Sequence, residues 1–177
     1  MDTLRRLLRH LWLDADDVRR VLDEDAIDRL EARIGKSEAL HTGQICICVE
    51  ASLPHSYLWR HMLRGEPLSD VVRDRAITLF GKQRVWDTEY NNGVLIYLLL
   101  AEHRIEIVTD RALGRVVDNA HWTVLLQEIA APCRGGKLED ALGRAIDDVD
   151  ASLQRHFPRP HGDATDRSDL PNRPLIR

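Results

Sequence analysis

The 177-residue sequence predicts a single α/β domain: a small mixed β-sheet, made of a βαβ unit plus a β-hairpin, flanked by helices. Three observations predict it. Gln44 to Glu50 is apolar on both alternating faces, and Val94 to Leu100 is apolar apart from the Tyr97 hydroxyl. Short runs of this kind are strands buried on both sides. A helical stripe (Val72, Ala76, Leu79, Phe80) lies between them, and two buried strands joined through a helix run parallel with a right-handed crossover. The break Ala101-Glu102-His103-Arg104 then precedes the alternating Ile105 to Val108, which folds back as the second arm of a hairpin.

Each element has its own signal. Residues 1–13 form a basic amphipathic helix, with Leu4, Leu7, Leu8 and Leu11 on one face, Trp12 beside them, and Arg5, Arg6, Arg9 and His10 opposite. Two readings of it stand: contact with anionic lipid through residues 4–12, or packing on the domain or a partner. Asp14 to Asp17 offer N-caps to a helical segment that the acidic break Asp23-Glu24-Asp25 kinks or divides; its periodicity ends at Gly35 or resumes through Ala39. Residues 51–68 carry Pro54, Gly65 and Pro67 and read as a loop with a helical turn around Tyr57 to Leu63. Ser69 caps the crossover helix and Gly81 stops it. Asp118 caps a helix built on Trp122, Leu125, Leu126 and Ile129, ended by Pro132 and Gly135-Gly136. The last helix carries Leu138, Ala141, Leu142, Ala145, Ile146, Val149 and Leu153. Four of the seven prolines lie beyond Phe157 among few apolar residues, so the domain spans 14–157 and residues 158–177 read as a disordered Pro-rich tail.

Composition bounds the function. Apolar residues at 44% against 31% charged describe a soluble globular chain, and a formal charge of −4 argues against nucleic acid. No run approaches the roughly 18 apolar residues of a membrane span. The amino terminus lacks a continuous apolar signal region, which makes the cytoplasm the expected compartment. Three cysteines cannot all pair, and Cys46 and Cys48 point to one strand face, so buried free thiols are expected.

The hairpin brings the segment before its first arm beside the segment after its second. Asp87 and Glu89 are thereby expected near Asp110, with Asp118 a short loop beyond. Such hard oxygen ligands, with Asn91 and backbone carbonyls, suit Ca²⁺ or Mg²⁺. The plain alternatives are a helix cap at Asp118, turn-forming at Asp87 and Asn91, and pairing of Asp110 with Arg111. The eight histidines show no His-x-x-x-His spacing, and no CxxC accompanies them, so zinc is not expected. Ser52, His55 and Ser56 follow the first strand without a GxSxG turn around them.

WDTEYNNGVLIYLLLAEHRIEIVTDRALG, followed by Val116-Val117-Asp118 and His121-Trp122, resembles the TPM-domain family, most closely its short bacterial members. The resemblance runs from about Leu22 to His156-Phe157-Pro158. It implies a small α/β sheet flanked by helices. It also implies either a non-enzymatic interaction module in an envelope-associated complex, beside a membrane-anchored TPM or LemA-type protein, or a metal-assisted phosphatase. In the first case the protein is cytoplasmic or peripheral to the inner membrane. In the second, Asp87, Glu89, Asp110 and Asp118 hold the metal, and Asn91, Asn92 and Arg111 contact the ligand. The segment after the second hairpin arm is Gly-rich in many relatives; here it is Thr109-Asp110-Arg111-Ala112-Leu113-Gly114, which removes the close backbone approach a phosphate wants.

Overall fold

The computed structural model describes residues 2–160 and 170–177, with the side chains of 2–4 left aside. Leu4 of the expected apolar stripe and residues 161–169 of the expected tail therefore lie outside the described residues. In chain order the elements are α1 (Asp2–Trp12), α2 (Ala15–Val21), α3 (Glu24–Glu38), β1 (Gln44–Glu50), α4 (His55–Arg64), α5 (Leu68–Lys82), β2 (Gly93–Leu99), β3 (Arg104–Thr109), α6 (Arg111–Val116), α7 (Asn119–Arg134), α8 (Leu138–His156) and β4 (Leu175–Ile176).

The strands form one mixed sheet in the order β3-β2-β1-β4. Strands β1 and β2 are parallel, with Cys46 opposite Leu95, and β2 and β3 are antiparallel, with Ile96 opposite Ile107. Alternation along each strand splits the core into two layers. Ile45, Ile47, Val49, Val94, Ile96, Leu98, Ile105 and Ile107 face α2, α3, α7 and α8. Cys46, Cys48, Leu95, Tyr97, Leu99 and Val108 face α4 and α5 through Leu58, Val71, Val72, Ala76 and Leu79. All three cysteines are buried and unpaired. Burial pushes the Cys46 and Cys48 thiols up to about 12, which makes them poor nucleophiles.

Local chemistry explains the boundaries. Asp14 caps α2 in a reciprocal capping box with Asp17, and Asp23 caps α3, so the acidic stretch separates two helices. The hairpin turn is a short 3₁₀ segment, Leu100–Glu102, closed by His103 at φ 45°. Helix α5 begins one residue before Ser69, after Pro67; the Ser69 hydroxyl bonds Asp70 instead of capping. Helix α7 runs through Pro132 to Arg134, since a proline so near the carboxyl end forfeits one backbone bond within the last turn or two.

Beyond the Ser69 cap and the Pro132 stop, two larger expectations change. Residues 55–64 form the ten-residue helix α4, where a loop with a single turn is expected; Pro54 occupies its N-cap position and Gly65, at φ 67°, ends it. The end of the chain is also built into the fold. Residues 175–176 pair in parallel with β1, Ala51 donates to the Arg177 carbonyl and Arg177 to the Val49 carbonyl, each at 2.9 Å. Leu170 is buried in the α4–α5 layer, and Arg173 pairs with Glu24, Asp28 and Glu31 on α3. Composition reports a polar, proline-rich segment. It does not report that β1 has an open edge whose backbone groups need partners.

Candidate functional site

At the amino-terminal end of β1 and β2, Asn91 takes φ 52° and Gly93 follows against the backbone of Val85. Asn92 is fully buried; its amide Nδ2 donates to Thr42 Oγ1 at 3.1 Å and its backbone N to Thr88 Oγ1 at 3.2 Å. The hairpin delivers Asp110 here, its backbone N bonded to the Gly93 carbonyl at 2.9 Å. Ala112 donates to the Asn91 carbonyl at 2.9 Å, and Arg111 Nη2 donates to Asn91 Oδ1 at 3.1 Å. These bonds bring Asp110 to Gly93 and Arg111 to Asn91, while the Asn92 side chain turns to Thr42.

The carboxylates divide their roles. Asp110 is the N-cap of α6, its Oδ1 accepting from Arg111 N at 2.6 Å, with Arg111 Nε 3.8 Å from the same oxygen. Asp118 caps α7 by accepting from Ala120 N at 2.9 Å. Asp87 is exposed and paired with Arg84, and Glu89 is exposed with contacts of its own. Among the described residues, no three His, Cys, Asp or Glu side chains are grouped so as to hold a metal ion. Among the described residues, Asp110 Oδ2 and Asn92 Oδ1 are each a buried oxygen without a hydrogen-bond donor.

A second constellation joins α3 and α8. Ser37 Oγ donates to Asp150 Oδ1 at 2.7 Å and lies 2.8 Å from His41 Nε2. Here one hydroxyl bonds both partners, so its proton points at the carboxylate and not at the imidazole. A nucleophilic serine needs the reverse. Burial lowers His41 to about 4, although Asp150 opposes this, and the ring is neutral near pH 7. A cleft of about 490 Å³ between β3 and α7 is also polar, but its buried Glu106 is neutralised by Arg104 and Arg73.

The third constellation is a surface, and it inverts the usual logic of an amphipathic helix. Helix α1 is held to the domain by its polar side and by one apolar residue, half-buried Leu7, packed against the α4–α5 layer. Arg6 Nε lies 3.0 Å from Glu102 and His10 Nε2 lies 3.1 Å from the same carboxylate oxygen. Leu53 N donates to His10 Nδ1 at 3.1 Å, and Arg9 Nη1 donates to the Ala101 carbonyl at 2.7 Å. Burial acts to raise Glu102, but the bond with His10 and the charge of Arg6 prevail and hold it low. Anchored in this way, Leu8, Leu11 and Trp12 stay exposed, Trp12 at 80%. Across from them α4 exposes Trp59, Met62 and Leu63, and the two helices enclose an apolar groove of about 350 Å³. The α4 residues are missed when 51–68 is read as a loop. Their signal is present: Leu58, Trp59, Met62 and Leu63 repeat at helical spacing after Pro54.

No helix among the described residues is long and apolar enough to cross a membrane. Residues 15–152 match the model of the TPM domain. The NMR structure of the BA42 protein from the psychrophilic bacterium Bizionia argentinensis superposes with a TM-score of 0.70 at 22% identity, covering 87% of this chain and 94% of that one. At that identity the likeness concerns the fold. A comparison with curated proteins gives no match. The extent of the family match, together with the Asn-Asn-Gly turn and the hairpin it opens, establishes that the chain belongs to the TPM-domain family.

Proposed function

We propose that the protein is a non-enzymatic interaction module that works in an envelope-associated complex, on the cytoplasmic side of the inner membrane, with a membrane-anchored TPM or LemA-type protein as partner. The observation that carries this reading is the outward apolar face of α1, kept in place by the charged contacts of Arg6, Arg9 and His10. A contiguous apolar surface with indole side chains is the usual mark of a binding face. Buried thiols suit a reducing compartment. The test pairs a detergent-solubilised TPM or LemA-type membrane protein with the full chain. Association weakened by Trp59→Ser with Leu63→Ser supports the module. Turnover of phosphate esters with Ca²⁺, Mg²⁺ or Mn²⁺ present, insensitive to those changes, would overturn it in favour of a phosphatase.

An accessory Ca²⁺ or Mg²⁺ contact is a second reading, favoured by the buried, donor-free Oδ2 of Asp110. A cation bound to the native state alone adds about 2.7 kcal/mol at a hundredfold excess over its dissociation constant. Millimolar Ca²⁺ is therefore expected to raise the melting temperature, and Asp110→Asn with Asp118→Asn to remove the rise. An unchanged melting temperature in the parent protein rejects the cation.

A further inference from the structure

We infer that the α1–α4 face docks directly on an anionic lipid bilayer; this deepens the module reading by naming the surface the module meets. The argument starts from which side of each helix the fold has used. On α1, successive residues turn by about 100°, so Leu7 and Leu11 sit together, Leu8 and Trp12 follow round the helix, and Arg5 and Arg9 come next. Leu7 and Leu11 line the groove, Leu8 and Trp12 continue the exposed surface, and Arg5 is its rim. On α4, Leu58 is buried, His55 lines the groove, and Trp59 and Leu63 stand out at 60% and 69% exposure. The Arg6–His61 contact, 3.1 Å, ties the two helices together, so their apolar arcs share one face.

Charge decides the occupant. The chain carries −4 overall, yet α1 contains Arg5, Arg6 and Arg9 against Asp2 alone, and α4 contains Arg60 and Arg64 with no Asp or Glu. Arg60 is neutralised by Glu66 and Asp74, and Arg6 by Glu102. Arg5 is exposed and enters no ion pair among the described residues; Arg64 is also exposed and makes no direct ion pair, although its charge adds to the Arg60 bond that holds the nearby Glu66 carboxyl low. Apolar side chains with two tryptophans, on helices that also carry the exposed Arg5 and Arg64, match the headgroup–acyl boundary of an anionic membrane: the indoles and leucines enter the boundary and the guanidiniums reach for phosphate. Trp12 and Leu63 project beyond the groove, so a surface that yields around them suits the face better than a rigid helix laid between them.

The experiment is flotation of the full chain with protein-free vesicles, containing phosphatidylglycerol in phosphatidylethanolamine or phosphatidylcholine alone. Tryptophan emission is followed in parallel, since Trp12 and Trp59 move from water to lipid. The chain is expected to float with the anionic vesicles, with a blue shift, and to stay behind with the neutral ones. Trp59→Ser with Leu63→Ser, and separately Arg5→Glu with Arg64→Glu, each weaken binding by about tenfold or more. All four residues are exposed, so an unchanged circular dichroism spectrum keeps the variants interpretable. No flotation with anionic vesicles, equal flotation with neutral ones, or undiminished binding by either variant overturns the inference. Loss of vesicle binding while a solubilised membrane protein is still bound overturns the bilayer contact and leaves the module standing.

Discussion

The Tyr97 hydroxyl donates to Glu50 Oε2 over 2.7 Å, with both side chains closed off from solvent. Arg75 grips the same carboxylate, its Nε at 2.9 Å, and its guanidinium lies 5.4 Å from the Tyr57 ring centre. A buried charge pair is costly to break and cheap to replace whole. Arg75→Met is expected to cost about 3–5 kcal/mol in urea unfolding, because Glu50 is left buried and unpaired. The double change Glu50→Leu with Arg75→Met is expected to recover most of that loss. Additive losses in the double variant would mean that the pair is not coupled. Tyr97→Phe leaves the ion pair in place and is expected to cost about 1–3 kcal/mol.

Gly93, the last residue of the Asn-Asn-Gly turn, admits no side chain. A Cβ there would sit 2.0 Å from the Val85 carbonyl oxygen, which is backbone and cannot swing aside. Gly93→Ala is expected to cost about 3 kcal/mol through forced backbone movement. Gly81, near the end of α5 with open space around it, is the contrast: Gly81→Ala is expected to be neutral or stabilising by up to about 1 kcal/mol. Equal urea midpoints for the two variants would refute the close approach at Gly93.

His41 sets a pH window. Burial lowers its folded-state value to about 4 from an ordinary 6.5, against the opposing pull of Asp150, while the nearby charge of Arg159 adds to the lowering. The unfolded chain therefore binds a proton that the native one refuses between pH 6.5 and 4. Stability falls as pH drops through that range, by about 3 kcal/mol at its lower end from this residue. His41→Gln is expected to flatten the slope there, whatever its effect at pH 7. A slope as steep as the parent's, measured by unfolding at pH 7, 5.5 and 4.5, would contradict it.

The carboxyl-terminal segment is expected to behave as part of the core. Truncation after Pro160 removes buried Leu170, the Arg173 cluster and both backbone bonds between Arg177 and β1. The Leu170 contribution alone is about 2 kcal/mol. The truncated chain is expected to melt lower and to self-associate, since β1 is then an open edge. A truncated chain that stays monomeric at an unaltered melting temperature would assign residues 170–177 no structural part.

The sequence by itself determined β1, β2 and β3, their pairing and the family resemblance. The runs at 44–50 and 94–100 are apolar on both faces, and a helix between them leaves a parallel pair as the compact solution. Asp14 and Asp118 could be read as caps because capping is local: a side chain meets backbone two or three residues on. The cap at Asp110 is local too, but it was hidden because α6 is a six-residue helix, too short to show a period. Tertiary structure decided whatever depended on partners distant in the chain. Residues 170–177 become structure only because β1 offers them an edge. The direction in which α1 faces was decided by Glu102, His61 and Ala101, each at least 55 residues along the chain from the α1 side chain it holds. Those partners captured Arg6, Arg9 and His10 and left Leu8, Leu11 and Trp12 outside, with Leu7 alone of the described leucines of α1 packed against the α4–α5 core.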